Sequence, residues 1–385
     1  MNHTTLSPSA LRARRWLIAA QQLAIVLAVL AALAWCLWMI RTALARNGVV
    51  FDMGFLTQPA GFSISEGWIW TWQGLRSFAS SDNNAQALLV GLGNTLKVAV
   101  LAIVLSTVVG TLLGIARLSH NWLLRQLSFL LIEFVRSTPL LIQLVFWYFA
   151  VVLQLPALHD AAHGFGAILA SQQGIFLPGL SVAAQASSAS IALFVVALLL
   201  SAATLAWRRH LLLGSALLSW LATCWLGFPL RLVAPQIDGF IVNAAMTISP
   251  EFAAILLGLS VYTAAFIAEI VRGAMLALPK GQWEACAALG MRRAQTLRDV
   301  VVPQVWRIVL PAFGNQYINI AKNTSLGIAI GYSDLFNVYG TVSNQSGRSL
   351  EGVLVAMLAY LLMSWLISAT VNWLNHCGQY AGGQG

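Results

Sequence analysis

The chain alternates long apolar runs with short polar ones. Eight stretches are apolar over a length that crosses a bilayer as helix, for which about 20 residues are needed. They are Trp16–Ile40, Leu88–Ala116, Leu127–Leu155, Ser190–Trp207, Leu211–Pro229, Glu251–Leu276, Val309–Gly331 and Gly352–Trp373. The pattern predicts an all-α membrane protein, a polytopic bundle of about eight transmembrane helices. Only Arg208, Arg209 and His210 part the fourth run from the fifth, which predicts a tight reversal. The first run is too long for a signal-peptide core and no small-residue cleavage site follows it, so it is expected to remain in the mature protein.

Two connecting stretches are longer than turns. In one, Trp68, Trp70 and Trp72 alternate with Ile69 and Thr71, a pattern that suits a membrane-interface belt or a docking surface. The other, 156–188, carries no Lys or Arg and reads as a large exposed loop.

Composition makes lipid the required solvent. Of 385 residues, 59% are hydrophobic and 9% charged, against about 25% charged in an ordinary soluble domain. The net charge of +9 does not point to nucleic acid, because the basic residues are scattered between apolar runs. They sort by side. With the N-terminus inside, Arg12, Arg14, Arg15, Arg117, Arg125, Arg136, Arg208, Arg209, Arg272, Lys280, Arg292, Arg293, Arg298 and Arg307 fall on the inner side. Arg41, Arg46, Arg76, Arg231 and Arg348 fall outside, and Lys97 and Lys322 lie within spans. The inward excess places both termini in the cytoplasm. Cys36, Cys224, Cys286 and Cys377 show no CxxC spacing and read as unpaired small hydrophobes.

Enzyme chemistry is missing. There is no GxxxxGK[ST] phosphate loop, no HExxH pair and no GxSxG elbow. His159 and His163 stand four apart beside Asp160, but their loop offers no further ligands.

The loop after the sixth run, LPKGQWEACAALGMRRAQTLRDVVVPQVWRIVLP from Leu278, predicts a short helix. Pro279 and Gly281 open it, with Glu284 in the first turn, where the helix dipole favours a carboxylate. Ala285, Cys286, Ala287 and Ala288 give it a thin waist, and Gly290 suits a left-handed cap. The waist fits a groove on another protein, or the helix lies on the membrane surface; local physics leaves both open. Arg136 is expected to reach inner headgroups, and Pro139 to sit in the first turn of a helix.

The segment resembles the Glu-Ala-Ala loop of binding-protein-dependent ABC importer permeases. Glu284, Ala285 and Gly290 match that pattern, Val300 takes its branched position, Val302 and Pro303 stand where Leu-Pro is usual, and Cys286 replaces the second alanine. Further segments resemble the polar amino-acid branch, and with its insertion the general L-amino-acid permeases: GNTLKVAVLAIVLSTVVGTLLGIARLS from Gly93, IEFVRSTPLLIQLVFWYF from Ile132, YTAAFIAEIVRGAMLALPKGQWEACAALGM from Tyr262, and KNTSL from Lys322, with Asn323 where Asp is usual. The resemblance implies the type-I importer permease fold in the bacterial inner membrane. It implies a permease domain over 88–376 with an insertion at about 156–249, preceded by a helix and outer loop (1–87) and followed by a tail (377–385). It implies a dimer with a second, related permease, a periplasmic amino-acid-binding protein, and ATPase subunits that hold ATP and Mg and dock on the coupling loop. This chain would need no cofactor of its own.

A polar stripe marks the seventh run. Asn315, Asn319 and Lys322 recur at helical spacing, with Gln316 and Asn323 beside them and Thr324 and Ser325 following. Lys322 lies eleven residues past Pro311, about 16 Å along a helix, near the middle of a ~30 Å core. Such groups cannot face lipid, so they serve either as substrate path or as interhelical glue. The rival function is an ion-coupled secondary transporter or channel, which calls for carboxylates at depth. Glu251 and Glu269 stand instead at opposite ends of the sixth run.

Overall fold

A computed structural model describes residues 8–46, 51–71, 74–160, 162–164, 168–182, 188–207, 211–225, 230–239, 241–244 and 246–380. The chain divides into two compact units, Met1–Phe55 and Leu56–Gly385. The first holds α1 (Pro8–Arg46), whose described side chains between Ala20 and Ala43 are almost all exposed and apolar, a surface suited to lipid.

The second unit opens with an antiparallel hairpin, β1 (Trp68–Thr71) and β2 (Gly74–Ser77). The tryptophan alternation is therefore that of a strand: Trp68 is exposed and Ile69 buried. Arg76 is ion-paired with Asp82 and holds the Asp82 carboxyl below its ordinary range. Next comes α2 (Asn84–Ala116), opened by a capping box in which Asn83 and Gln86 satisfy each other's backbone N–H groups.

The third expected span is broken. α3 (Trp122–Ser137) and α4 (Leu140–Phe146), the latter extended by turns to Gln154, meet at a bend of 106°. The cause is local. Thr138 is extended at φ −103°, as the residue before a proline is driven to be. Pro139 stands just outside α4 at its cap rather than in the first turn. Gln143 Nε2 donates to Val135 O at 2.8 Å and Thr138 O at 3.2 Å, restoring partners to carbonyls that the break frees. Arg136 is exposed at the end of α3. It pairs with Glu133 at 3.8 Å and lies 5.4 Å over the Phe266 ring.

The stretch read as a loop carries short strands. β3 (Ala162–Gly164), β4 (Ile168–Ser171), β5 (Gly174–Leu177) and β6 (Gly179–Val182) precede α5 (Ser188–Trp207) and α6 (Leu211–Trp225). β7 (Leu230–Val233), β8 (Gln236–Asp238), β9 (Ile241–Asn243) and β10 (Met246–Ile248) follow. One antiparallel sheet runs β10-β5-β4-β3, and β6 pairs with β7 and β8 with β9. The alternation that marks these strands is only three or four residues long, too short to stand out in the sequence. α5 and α6 fall on the fourth and fifth expected spans; residues 208–210 and 226–229 lie outside the described residues.

β10 leads directly into α7 (Pro250–Leu276), the central helix. Ser249 caps it by accepting Phe252 N at 3.1 Å, and Pro250 fills the first turn. α7 contacts α2 along its length through Gly110 and Gly114, a small-residue pair spaced to let backbones approach. A Cβ at Gly110 would stand 2.7 Å from Ala264 O, and one at Gly114 2.6 Å from Ala268 O. After α7 come α8 (Lys280–Ala288), α9 (Arg293–Gln295), π-helical turns over Thr296–Val301, and α10 (Val302–Asn323), which tightens into 3-10 turns over Thr324–Ile330. α11 (Leu335–Ser346) and α12 (Ser349–Tyr380) complete the unit. The core joins Val98, Ala99 and Ala102 of α2, Leu144 of α4, Ile255 and Leu259 of α7, and Ile320 and Ala321 of α10.

Among the described residues, four helices are long and apolar enough to span: α1, α2, α7 and α12, with the bent α3–α4 pair a fifth. α10, the seventh expected span, does not meet that measure of length and composition. The bundle has two distinct ends. One carries the hairpins and the cap of α7; the other carries Arg117, Glu269 and Arg272, joined by ion pairs.

The glycine contact gives a direct prediction. Gly114→Val must push α2 off the Ala268 carbonyl, at a cost of at least about 1–3 kcal/mol. Gly273→Ala meets nothing within 4 Å and serves as the control. Thermal unfolding in detergent should show a clear drop for the first variant and little for the second. Equal melting would contradict the packing.

Candidate functional site

The loop helix forms where the sequence places it, and its C-terminal cap is complete. Gly290 adopts φ +71°. Its N–H donates to Ala287 O at 3.0 Å, and Met291 N–H donates to Cys286 O at 3.0 Å. This is the paired Schellman arrangement, which only a left-handed residue can close. One element of the sequence reading is corrected. α8 begins at Lys280, so Glu284 lies beyond the first turn, which holds no acidic residue. The dipole argument for Glu284 therefore fails. Cys286 is buried, while Gly281, Glu284, Ala285, Ala287, Ala288 and Leu289 are exposed, with Leu289 at 79%. The exposed waist thus ends in a bare leucine next to exposed Arg292 and Arg293. Pro303 takes the opening turn of α10, where its missing N–H is harmless.

The polar stripe lies on α10. Asn315, Asn319 and Lys322 are exposed in the single chain, and Asn323 is partly so. Tyr317, beside them, shares a 2.9 Å hydrogen bond with Thr107 of α2. Asn315 and Asn319 face away from the chain's own helices, so they do not act as glue within it. Thr324 is buried and donates to Ala321 O at 2.9 Å, and Ser325 donates to Lys322 O at 2.8 Å. Lys322 and Ser325 line a cavity of about 260 Å³ with Phe336, Tyr339, Met357 and Tyr360. Its walls are mainly apolar, with one cation at the edge. Ile320 and Ala321 share the core with Ile255 and Leu259. That places this end of α10 toward the capped end of α7.

Residues 194–377 match the family described as the binding-protein-dependent transport system inner membrane component. The putative amino-acid ABC transporter permease protein YhdX of Escherichia coli (strain K12) is 37% identical over 377 residues, covering 94% of this chain and 93% of that protein. This chain belongs to the ABC importer permease family. The general L-amino acid transport system permease protein AapQ of Rhizobium johnstonii is 38% identical, over 86% of this chain and 84% of its own length. A crystal structure of an amino acid ABC transporter with histidines aligns with TM-score 0.47 at 20% identity, over 76% of this chain and 94% of that one. By family membership the chain is a multi-pass permease component of an ABC importer with the type-I fold, a transport subunit. Membership implies ATPase and binding-protein partners.

A second polar cluster in the permease escaped the sequence reading. It ties the capped end of the bundle together. Asn94 Nδ2 donates to Glu66 O and to Ser333 O, each at 2.9 Å, and its carbonyl accepts Tyr332 OH at 3.2 Å. Thr95 Oγ1 accepts Leu335 N at 3.0 Å. Asp334 caps α11 through Asn337 N at 2.9 Å and accepts Tyr360 OH at 3.0 Å. Glu66 Oε1 accepts Ser249 N at 3.0 Å, and Lys97 Nζ stands 3.5 Å from Glu66 Oε2 and 4.2 Å over the Phe252 ring. Lys97 is twenty residues from Arg117, about 30 Å and a full core thickness. It lies within the apolar helix α2, well away from the arginine-bearing end. The partners are separated by up to 240 residues, so no local pattern announces them.

Asp334 lies in the turn before α11, outside the spanning helices, and burial lifts its carboxyl from 3.8 to about 6 against the pull of the Asn337 and Tyr360 hydrogen bonds. The fold thus holds this proton more tightly than the unfolded chain does. The stability that protonation confers is complete below about pH 3.8 and is lost as pH rises through about 6. Asp334→Asn keeps an acceptor for the cap and removes the titration. Between about pH 4 and 7 the wild type should lose about 1–3 kcal/mol relative to this variant. Melting temperatures across that range test it, and a constant difference between the two proteins would contradict it.

Proposed function

We propose that this permease carries amino acids delivered by a periplasmic binding protein across the bacterial inner membrane, driven by separate ATPase subunits that dock on α8. The observation that supports it best is the form of that helix. A rigid Schellman cap at Gly290 holds the exposed waist Glu284, Ala285, Ala287 and Ala288 together with Leu289 and two arginines, a surface fitted to a groove. Gly281, Glu284, Ala285, Cys286, Gly290 and Pro303 are its coupling residues. ATP and Mg belong to the partner. The arginine-bearing end of the second unit faces the cytoplasm, in line with the basic excess there, and its hairpin-bearing end faces outward; by the same charge rule each terminus is assigned to the cytoplasm.

The exposed stripe on α10 supports a second permease, a related chain, across a shared path. Asn315, Asn319, Lys322, Asn323, Thr324 and Ser325 border that path, with the Lys322 cavity on its wall. A cation beside apolar walls suits the carboxylate and side chain of an amino acid. The permease domain spans 88–376, with 156–249 as its insertion. The rival, ion-coupled transport, is disfavoured because the carboxylates within α7, Glu251 and Glu269, are both partnered, by Tyr148 and by Arg117 and Arg272.

Two variants test this. No atom lies within 4 Å of a Cβ at Gly290, so Gly290→Val acts only through the left-handed backbone, at about 1–3 kcal/mol. ATP-dependent uptake by the whole importer should fall steeply while the membrane level of the chain holds. Unchanged uptake would refute α8 as the coupling element. Lys322→Met should weaken uptake at least about tenfold, the scale of a lost charged contact; wild-type uptake would remove Lys322 from the path.

A further inference from the structure

We propose that Glu66 and Lys97 form a subsite for the α-ammonium and α-carboxylate groups of an amino acid, at the bundle end that the proposed orientation turns outward. The proposal rests on the amino-acid reading above.

Glu66 is fixed from two directions. Its carbonyl accepts Asn94, its Oε1 accepts the cap residue Ser249, and the preceding network locks both partners in place. Gly67 lets the segment come this close: at φ +135° a Cβ there would lie 2.1 Å from Val90. The other carboxylate oxygen, Oε2, is buried and accepts no hydrogen bond from any described group. A buried acceptor without a donor is costly, and in a native protein it calls for a bound partner. Lys97 supplies the complement. Its ammonium touches Glu66 Oε2 only at 3.5 Å, rests over the Phe252 ring, and its side chain is 36% exposed. Glu66 Oε2, which accepts no hydrogen bond, thus stands in a long 3.5 Å ion pair with a cation whose own side chain is partly exposed.

That pair is the mirror of a zwitterion. A substrate ammonium placed on Glu66 Oε2 and a carboxylate placed on Lys97 would each gain a charge-assisted bond. The groups nearby read no particular side chain. Phe252 offers a ring, and Tyr148, in the π-helical turns Trp147–Val151, donates to Glu251 at 3.1 Å. Such turns often accompany functional sites. A subsite of this kind recognises the head group common to amino acids and leaves the side chain to be read elsewhere.

The test is equilibrium binding to the purified complex of this chain with its partner subunits, in lipid nanodiscs without binding protein. The probes are radiolabelled alanine, glutamate and leucine, with alaninamide (no carboxylate) and lactate (no ammonium) as competitors. Both competitors should be at least about tenfold weaker than alanine, and Lys97→Met and Glu66→Gln should each weaken all three amino acids at least about tenfold. Lys97→Arg, which keeps the charge, should recover most of the affinity. Wild-type affinity in both deletion variants would overturn the subsite, as would a wild-type complex that imports these amino acids yet binds none of them here. A wild-type complex that imports none of them would instead overturn the amino-acid reading, and the subsite with it.

Discussion

Where α2 crosses α7, glycine meets backbone carbonyl. Gly110 and Gly114 bring α2 onto the backbone of α7, with no room for a side chain between them. Lipid tails give no hydrophobic drive between helices, so close backbone approach is one of the few sources of association left. Much of the unit is built around this pair. α3, α4 and α10 pack on α7, α12 packs on α10 and α11, and the ion pairs of Arg117, Glu269 and Arg272 lock one end of it. At the other end, Asn94 and Thr95 of α2 and Ser249 of α7 hold the network around Glu66 and Asp334.

This arrangement explains how one rigid frame can carry two different ends. The arginine-bearing end leads within a few residues from α7 into α8, whose cap at Gly290 keeps it short and stiff. α8 is thus joined by a short connection to α7, and α7 through the glycines to α2. The break at Pro139 has the opposite character. The 106° bend leaves α4 short, and Gln143 satisfies carbonyls that a continuous helix would have used. The break itself is left exposed at Ser137 and Pro139, while Val135 and Leu140 on either side of it are buried.

The features legible in the sequence were those written in local pattern. Long apolar runs gave the helices, and the spacing of Glu284, Ala285 and Gly290 gave α8 and its cap. The polar period of Asn315, Asn319 and Lys322 gave the exposed face of α10. What stayed hidden depends on tertiary distance. The strands of the insertion are too short for their alternation to register. Glu66 pairs with groups on α2 and α7 that no spacing predicts. Pro139 was visible, but a proline alone does not tell a kink from a right-angle turn; that required Thr138 to be extended. Glu284 falls just beyond the first turn because the helix already begins at Lys280, ahead of Gly281.

The central claim is that this chain is the passive path of an importer whose work is done by another subunit. Reconstitution of the purified complex into proteoliposomes, with a binding protein and labelled amino acids supplied on the side of the hairpins, tests it directly. Uptake should require ATP on the arginine-bearing side and should stop when the ATPase subunits are stripped away, whatever ion gradient is imposed. Uptake by this chain alone, driven by a proton or sodium gradient, would contradict it.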